Sequence, residues 1–426
     1  MKRIYFDYAS TTPLDPRVKK EMEPFYAKTF GNPSSIHAEG VAAKKALDEA
    51  RTLVARCLEA HADEIVFTSG GTEANNLAIF GATTFRLNLN QFRFNLKQHV
   101  VTTNVEHSSV LEPLRELERR GRVEVTYVPV EPNGIVKAEK IIAAVKPNTV
   151  LVSVMYANNE IGTVQPIRKI GQMIQSLRLQ KLKAISYKLK AVENRLPVFH
   201  VDACQAPLYL RCFVNALGVD LMTLDGHKIY GPKGVGALYV RRGTPLAPIL
   251  LGGGQEGGLR ATTENVPAIV GFAEALRIAT SEREKESLRV RKIRDHLYSL
   301  IRENKRISTM AVINGSREEG ERLPNNVNIS LPGIDTEFLT LKLDAEGIAV
   351  STKSSCLKDE KESYVLAALG AKPNPRDSVA RSAKSGFRDG KERAMSSLRF
   401  TLGRYTTKSE VEYAAKTLRK LVGFKH

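Results

Sequence analysis

The segment with the clearest chemical potential contains a single lysine, Lys228, between two predicted strands. Lys228 follows the apolar run Leu221–Leu224 and precedes a turn rich in glycine and proline (YGPKGVG), after which Ala237–Val240 is again apolar. This pattern places Lys228 at the carboxyl end of a strand, where open α/β sheets bind ligands. A desolvated lysine there can form a Schiff base with a carbonyl cofactor. The alternative is one surface lysine among many in a basic protein.

A second cluster, Ser69–Thr72 (SGGT), follows the predicted strand Ile65–Thr68 and precedes a helix that we expect to begin near Glu73. Backbone N–H groups and the positive end of that helix would bind a phosphate, with the Thr72 hydroxyl as an additional donor. The cluster is not a P-loop, because no GK[ST] follows, and it lacks the GxGxxG spacing of dinucleotide sites. The alternative is a strand-to-helix turn without a ligand.

Three further apolar runs also end in polar residues. They are Val100–Thr103 before NVEH, Val150–Met155 before YANNE, and Val198–Val201 before DACQ. A single His or Asp in such a place is typically a cap or turn residue. Five such clusters, all at the edge of the sheet where sites form, together indicate a functional site.

The elements that would position these clusters alternate along the chain. Helical patterns separate the apolar runs between residues 65 and 240, and a long amphipathic helix is predicted before them at Gly40–Leu58. Strands that alternate with helices indicate an α/β domain with a mainly parallel sheet.

The pattern changes after the last strand of this series. A basic, glycine-rich loop precedes two predicted helices, Glu264–Ala279 and the charged Glu282–Asn304, and then the shorter elements of an α+β domain. We therefore expect a large domain over residues 17–265 and a smaller domain formed by residues 1–16 and 266–426.

The composition narrows the class of protein. Lys and Arg number 64 against 46 Asp and Glu, a formal net charge of +18, which favours polyanions or acidic protein partners. The alternative is a soluble enzyme from an organism whose proteins are generally basic. No stacking aromatic residues alternate with the basic runs and Trp is absent, so direct nucleic-acid binding is not expected. No apolar run could span a membrane and no signal peptide is evident, so we expect a soluble, cytoplasmic protein.

The four cysteines are too few for a disulfide framework and lack paired CxxC spacing, so no metal site is predicted. Three basic stretches, at residues 84–98, 177–195 and 372–393, interrupt the pattern of strands and helices. The second could be an amphipathic surface helix or a solvated excursion.

Taken together, the motifs resemble those of the cysteine desulfurases, which are fold-type I pyridoxal-phosphate (PLP) enzymes of aminotransferase class V. The resemblance covers almost the whole chain except the basic stretches. It rests on DYASTTP, FGNPSS, TSGGTEANN, NVEH, NNEIGTVQPI, HVDACQ, GHKIYGPKGVGALYV, GLRATTENVP and SSLRFTLGR. It implies the type I PLP-dependent transferase fold, PLP as cofactor, L-cysteine as substrate, a homodimer, and a sulfur-acceptor protein of iron–sulfur assembly or tRNA thiolation.

The resemblance also implies roles for the residues of the cofactor site. Lys228 would hold PLP as a Schiff base and then act as a base at the substrate Cα. Asp202 would pair with the pyridinium nitrogen, and His107 would stack on the ring and shuttle a proton. Gln205 would donate a hydrogen bond to the phenolic oxygen of the ring.

The remaining implied contacts concern the phosphate and the substrate. The phosphate would be held by Gly71, Thr72 and His227, and completed by Thr263 of the neighbouring subunit. The substrate carboxylate would be held by Asn32, Asn158 and Arg399, since a bidentate arginine suits a carboxylate best.

Cys356, in AVSTKSSCL, lies where the family carries its nucleophile. As a thiolate it would attack the substrate sulfur, keep it as a persulfide and leave alanine. The alternative is a buried structural cysteine, but the flanking Lys, Ser, Asp and Glu residues indicate an exposed loop. Cys57, Cys204 and Cys212 are expected to be packing residues.

Asp225 departs from the family pattern, because a serine or threonine usually hydrogen-bonds the phosphate at this position. A carboxylate about 4 Å from a phosphate charge costs on the order of 4 kcal/mol at an effective dielectric constant near 20. The side chain must therefore point away, pair with a cation or take up a proton. Lys353 and LKDEKE also depart from the pattern around Cys356.

Two other functions fit parts of the sequence. Another class V PLP enzyme, such as an aminotransferase or a selenocysteine lyase, would use Lys228 and Asp202, although an aminotransferase would not need Cys356. A basic interaction protein on a degenerate PLP fold would be favoured only by Asp225 and the basic stretches.

Overall fold

A seven-stranded sheet is the framework of the molecule. The computed structural model describes residues 3–89, 97–184, 196–303, 305–352, 362–370 and 395–423. The strands of this sheet are β2 (Ile65–Thr68), β3 (Gln98–Thr103), β4 (Val123–Val128), β5 (Thr149–Ser153), β6 (Val198–Asp202), β7 (Leu221–Asp225) and β8 (Gly236–Val240). Their order is β2-β8-β7-β6-β5-β3-β4, and only β8 runs antiparallel to its neighbours. The prediction of an α/β fold with a mainly parallel sheet is confirmed.

The central strands read as continuous apolar runs because both faces of the sheet are covered. Consecutive side chains of one strand pack in two different hydrophobic clusters. Val100 and Leu221 belong to one cluster, and their neighbours Val101 and Met222 belong to the other. Strand β4 was not predicted from the sequence. It lies at the edge of the sheet, and its sequence VEVTYV is largely half-buried or exposed, so it lacks a continuous apolar run.

Helices cover both faces of this sheet. On one face, α4 (Gly71–Leu89) and α5 (Ser108–Arg119) contribute residues such as Leu77 and Leu114 to the core, and on the other face α3 (Ala38–Leu58) contributes Leu47 and Val54. These helices belong to the series α1 (Pro16–Met22), α2 (Pro24–Ala27), α3 (Ala38–Leu58), α4 (Gly71–Leu89), α5 (Ser108–Arg119), α6 (Ala138–Ala143), α7 (Ile167–Ala184) and α8 (Val214–Leu217). Short 3₁₀ turns are found at Ala62–Glu64, Gly226–Lys228 and Gln255–Gly258.

A separate hydrophobic core forms around two small sheets. The strands of these sheets are β1 (Ile4–Tyr5), β9 (Val312–Ile313), β10 (Asn326–Ser330), β11 (Ile348–Ala349) and β12 (Ser397–Thr401). One sheet is antiparallel with the order β12-β10-β9, and the other pairs β1 with β11 in parallel. The remaining helices are α9 (Val266–Glu303), α10 (Lys305–Met310), α11 (Thr336–Ala345), α12 (Tyr364–Gly370) and α13 (Lys408–Gly423).

The prediction of two helices between residues 264 and 304 was wrong, because α9 is one helix of 38 residues. Thr280 and Ser281 interrupt the apolar pattern, but neither residue breaks a helix as Gly or Pro would. The first half of α9 packs on the large sheet through Phe272, and the second half packs in the small core through Leu297. The domain limits given above remain a prediction.

Two of the basic stretches are described in part. Residues 84–89 are the end of α4, and residues 177–184 are the end of α7, while stretch 372–393 lies outside the described residues. In the described parts of the chain, no helix is both long and apolar enough to cross a membrane.

Candidate active site

A cavity of about 160 Å³ lies where β5, β6 and β7 end and α4 begins. Because these strands are parallel, the residues that follow them meet at one edge of the sheet. The predicted residues that line this cavity are Gly71, Thr72, His107, Asp202, Gln205, His227, Lys228 and Arg399. The lining residues that were not predicted as site residues are Ala9, Ser10, Asn75, Ser109, Met155, Ala157, Asn159, Cys204 and Asp225. Of these, Cys204 was expected to be a packing residue and Asp225 was noted only as a departure.

Lys228 ends the short 3₁₀ turn that directly follows β7. Its Nζ donates hydrogen bonds to the carbonyl oxygens of Ala9 at 2.8 Å and Ser10 at 2.7 Å. The amide of Gln205 donates to the same Ala9 oxygen at 2.9 Å. The amino-terminal segment DYASTTP therefore orients the lysine and the glutamine at the cavity wall.

Asp202, the last residue of β6, is held in place by two donors. Its Oδ1 accepts from the backbone N–H of Cys204 at 3.0 Å, and its Oδ2 accepts from Asn75 Nδ2 at 2.8 Å. Asn75 lies three residues after Thr72 on α4, so both side chains are on the same face of the helix. That spacing was the signal in the sequence that could have identified Asn75.

The imidazole of His107 is joined to Asp202 through two side chains. Asn75 Nδ2 also donates to Ser109 Oγ at 2.8 Å, and this oxygen lies 2.8 Å from His107 Nδ1. The backbone N–H of Ser109 donates to the same Nδ1 at 3.2 Å. Since Nδ1 accepts these hydrogen bonds, a neutral His107 carries its proton on Nε2.

Asp225 does not point away from the cavity. Its Oδ2 accepts from the backbone N–H of Gly71 at 2.8 Å, and its Oδ1 lies 3.4 Å from His227 Nε2. Burial opposes ionisation, yet His227, the Gly71 N–H and the nearby Lys228 cation hold the pKa of this carboxyl below its ordinary value. Of the options foreseen from the sequence, the one observed is pairing with a basic group.

Arg399 lies on β12, in the small antiparallel sheet, and lines the cavity from that sheet. Its guanidinium is 1% exposed and donates to Asp7 Oδ1 at 2.8 Å, to Ser10 Oγ at 3.1 Å and to the Asn159 carbonyl at 3.0 Å. These contacts fix the plane of the guanidinium at the cavity wall. The arrangement is suited to binding an anion such as a carboxylate.

Three predicted site residues do not line the cavity. Asn158 is fully buried and holds a turn, because its Oδ1 accepts from the N–H groups of Glu160 and Ile161 at 2.9 and 3.0 Å. Asn32 is exposed and accepts from Ser34 N at 2.9 Å, and Thr263 is exposed. Their predicted contacts with substrate and phosphate stay predictions.

Cys356 lies outside the described residues, but both neighbouring segments are attached beside the cavity. Ser351 and Arg399 exchange backbone hydrogen bonds, with Ser351 N donating at 3.1 Å and Arg399 N at 2.6 Å. On the other side, Ser363 Oγ donates to Glu160 Oε2 at 2.6 Å, and the Tyr364 hydroxyl donates to the Glu106 carbonyl.

Cys204, expected to be a packing residue, lines the cavity beside Gly71. A Cβ atom at Gly71 would lie 2.6 Å from its Sγ, so a side chain at position 71 would collide with the thiol. Burial raises the pKa of Cys204 well above its ordinary value, with the Asp202 and Asp225 charges acting in the same direction. This thiol is therefore neutral and a poor nucleophile.

The residues of the cavity fit PLP at most points. They offer an amine for a Schiff base, a fixed carboxylate for a pyridinium nitrogen, an imidazole beside them and a helix amino terminus for a phosphate. The one feature against the fit is Asp225, which already holds the N–H of Gly71 at that terminus.

The comparisons with known proteins agree with this geometry. Residues 4–414 match the aminotransferase class-V family. The chain is 41% identical to cysteine desulfurase IscS of Dictyoglomus turgidum over 426 residues, covering 99% of this chain and 95% of the relative. It is 39% identical to cysteine desulfurase IscS 1 of Archaeoglobus fulgidus over 415 residues, covering 97% and 95%.

Solved structures show the same relationship. A NifS-like protein superposes with a TM-score of 0.82 at 34% identity, covering 99% of this chain and all (100%) of that one. SspA in complex with cysteine gives a TM-score of 0.70 at 32% identity, covering 95% and 100%. The fold-type I expectation is confirmed, and the chain belongs to the cysteine desulfurases of the aminotransferase class-V family.

Proposed function

We propose that this chain is a PLP-dependent cysteine desulfurase that converts L-cysteine to L-alanine and keeps the sulfur as a persulfide on Cys356. The observation that carries the proposal is the meeting of Lys228, Asp202 and His107 in one cavity, in a chain of the cysteine desulfurase family. The solved relative SspA in complex with cysteine supports L-cysteine as the substrate.

When bound, PLP supplies an electron sink for negative charge at the substrate Cα. Asp202 would keep a proton on the ring nitrogen, and the hydrogen bonds from Asn75 and Cys204 N orient its carboxylate for that task. Lys228 Nζ would hold the cofactor and then move the proton at Cα, starting from its position against the Ala9 and Ser10 carbonyl oxygens.

His107 would hold or move a second proton at its Nε2. The hydrogen bonds at Nδ1 leave Nε2 as the protonated nitrogen of the neutral ring. Arg399 would bind the substrate carboxylate with a guanidinium whose plane is already set by Asp7 and Ser10. These contacts limit the freedom of the substrate before the reaction begins.

Sulfur transfer would be the task of Cys356. Its thiolate attacks the substrate sulfur, the carbon–sulfur bond breaks, and the bonding electron pair stays with the carbon fragment. That fragment is protonated and leaves as alanine, while Cys356 keeps the persulfide. The attachment of Ser351 and Ser363 beside the cavity supports this role, since a short segment of nine residues, 353–361, separates the described ends.

A homodimer is part of the proposal. Large apolar side chains are exposed in two segments, with Ile36 98% and Leu251 82% exposed. Both segments adjoin a groove that Pro33, Ser34 and Gly254 line together with other residues. Large apolar side chains exposed to this degree favour a protein contact, and a second copy of the chain would cover them.

The destination of the sulfur is the last part of the proposal. The acceptor would be a protein of iron–sulfur cluster assembly or of tRNA thiolation, in the cytoplasm. The formal net charge of +18 would favour an acidic acceptor and speed their encounter.

The proposal is tested by an absorption spectrum of the purified protein before and after addition of L-cysteine. We expect a band of Schiff-base PLP that Lys228→Ala removes, and a change of that band with L-cysteine while alanine accumulates. Lys233→Ala, a lysine of the same turn that does not line the cavity, is the matched control and should keep the band. A protein that gains no such band when PLP is supplied would contradict the proposal and favour the degenerate interaction protein. If PLP binds and the amino group of the substrate is transferred but no sulfide forms, the result would favour an aminotransferase.

A further inference from the structure

The carboxylate of Asp225 occupies the amino-terminal end of α4. Its Oδ2 accepts a hydrogen bond from the backbone N–H of Gly71, the first residue of this helix of 19 residues, at 2.8 Å. The positive end of a helix and the N–H groups of its first turn are where a phosphate binds. The chain therefore places an anion of its own in the position that would receive the phosphate of a cofactor.

The packing of the sheet explains why Asp225 reaches this position. Strand β8 lies between β2 and β7, and its first residue, Gly236, approaches the turn before α4 so closely that a Cβ atom there would lie 2.8 Å from Gly70 Cα. A Cβ atom at Gly71 would lie 3.0 Å from Asp225 Oδ2. Only 8% of Asp225 is exposed, so its carboxylate has little room to move from the helix.

Basic groups on one side of Asp225 offset its charge. His227 Nε2 lies 3.4 Å from Oδ1, and the backbone N–H of His227 donates to the same oxygen at 3.2 Å. Thr11 Oγ1 contacts the other ring nitrogen of His227 at 3.2 Å. The other titratable or charged groups near this end of α4 are Lys228 after β7, Asp202 and Cys204 at the end of β6, and Glu73 with its partner Arg260.

We propose that Asp225 limits the affinity of this chain for the phosphate of its cofactor, and that phosphate binding is linked to proton uptake by the Asp225–His227 pair. The inference rests on the proposed function, because it takes PLP as the cofactor. A phosphate that approaches Gly71 and His227 meets the Asp225 carboxylate. A proton from solvent, bound on the carboxyl or on the imidazole, removes or offsets that repulsion.

The sign of the pH dependence follows from the charges. Without cofactor, the pKa of the Asp225 carboxyl lies below its ordinary value, so the carboxylate is ionised near neutral pH. A phosphate adds a negative charge beside the carboxylate, which favours a proton held between Asp225 and His227. Binding therefore takes up protons, and the dissociation constant of PLP increases as the pH rises.

The test compares PLP with pyridoxal, which lacks the phosphate. After removal of the cofactor, both dissociation constants are measured by equilibrium dialysis at several pH values. The proteins are the wild-type chain, Asp225→Asn and Asp225→Ser, with Asp63→Asn as the control. Asp63 is exposed and pairs with Arg242, so this control removes the same charge far from the cavity.

We expect Asp225→Asn and Asp225→Ser to bind PLP at least about tenfold more tightly than wild type at neutral pH, which is about 1.4 kcal/mol. Their affinity for pyridoxal should change less than about twofold, and the increase of the PLP dissociation constant with pH should be smaller than in wild type. The cofactor's own phosphate is present in all the PLP measurements. Lys228 interacts with the Asp225 charge, but it would bind pyridoxal as it binds PLP, so the difference between the two ligands isolates the effect on the phosphate. Asp63→Asn should match wild type.

Equal PLP affinities and equal pH dependence in wild type and both Asp225 variants would overturn the inference, even if the spectrum and turnover of L-cysteine uphold the proposed function. No PLP binding by any of the proteins at any pH would overturn the proposed function and this inference with it. Asp225→Asn keeps an oxygen acceptor for the Gly71 N–H and nearly the same side-chain volume, whereas Asp225→Ser has a smaller side chain. Tighter binding of PLP by both variants therefore identifies the lost charge, and not the freed space, as the cause.

Discussion

The hydroxyl of Ser109 lies 2.8 Å from Nδ1 of His107 and 2.8 Å from Nδ2 of Asn75, which also donates to Asp202. The carboxylate can only accept, so Asn75 donates in both directions, and the Ser109 hydrogen is directed at the imidazole. The orientation of His107 is thus linked to the carboxylate at the end of β6. Ser109 acts on the site through His107 and is a positioning residue.

Ser109→Ala should lower kcat by about tenfold, or about 1.4 kcal/mol, the range for a lost hydrogen bond to a buried polar group. The KM for L-cysteine should change little, and the pH–rate profile should shift because the tautomer of His107 is less well defined. Ser108→Ala, at the preceding position of α5, is the control and should keep the wild-type profile. A lower kcat with an unchanged pH profile would indicate a merely structural role.

Arg399→Lys should raise the KM for L-cysteine more than about tenfold, because a lysine keeps the charge but loses the paired donors, which contribute about 1.5–3 kcal/mol. The absorption band of bound PLP should be unchanged. Steady-state kinetics and the spectrum of the same sample provide the measurement. A variant with wild-type KM would show that the carboxylate is bound elsewhere.

Cys356→Ala should abolish sulfide release while leaving the PLP band and its change with L-cysteine intact, because the thiolate acts only after the substrate has bound. Cys57→Ala, in the buried part of α3, is the matched control and should retain turnover. Sulfide assays with both variants make the comparison. Retained sulfide release in Cys356→Ala would remove this residue from the mechanism.

Glu106, three residues after the end of β3, is fully buried, and burial raises the pKa of Glu106 to about 8. Its Oε1 accepts from Thr103 Oγ1 at 2.6 Å and Met155 N at 3.0 Å. Between its unfolded pKa and about 8, the native state holds a proton that the unfolded state has lost. Glu106 therefore lowers the free energy of unfolding as the pH rises through this window.

Glu106→Gln, which is neutral at every pH, should gain thermal stability relative to wild type as the pH rises from about 5 to about 8, with a difference of a few degrees at the upper end. Thermal unfolding at both pH values measures it. Glu112→Gln, on the exposed face of α5, should show no such trend. A difference that does not depend on pH would contradict the raised pKa.

Local patterns in the sequence determined much of this protein. Strand β2 was predicted at its observed limits, and Lys228 was placed after a strand, because apolar runs and glycine-rich turns are properties of neighbouring residues. Motif residues such as Asp202 and His107 could be assigned to one edge of the sheet for the same reason. No such local pattern identified the edge strand β4 or showed that α9 continues through Thr280 and Ser281 as one helix.

Tertiary structure alone decided the contacts between distant segments. The hydrogen bond from Gly71 to Asp225 joins residues 154 positions apart, and Asn75 and Asp202 are 127 apart. The sequence showed that Asp225 was unusual, but whether it pointed away or paired depended on how β8 brings β7 against the turn before α4. Such contacts depend on the packing of whole elements, which no short window of sequence contains.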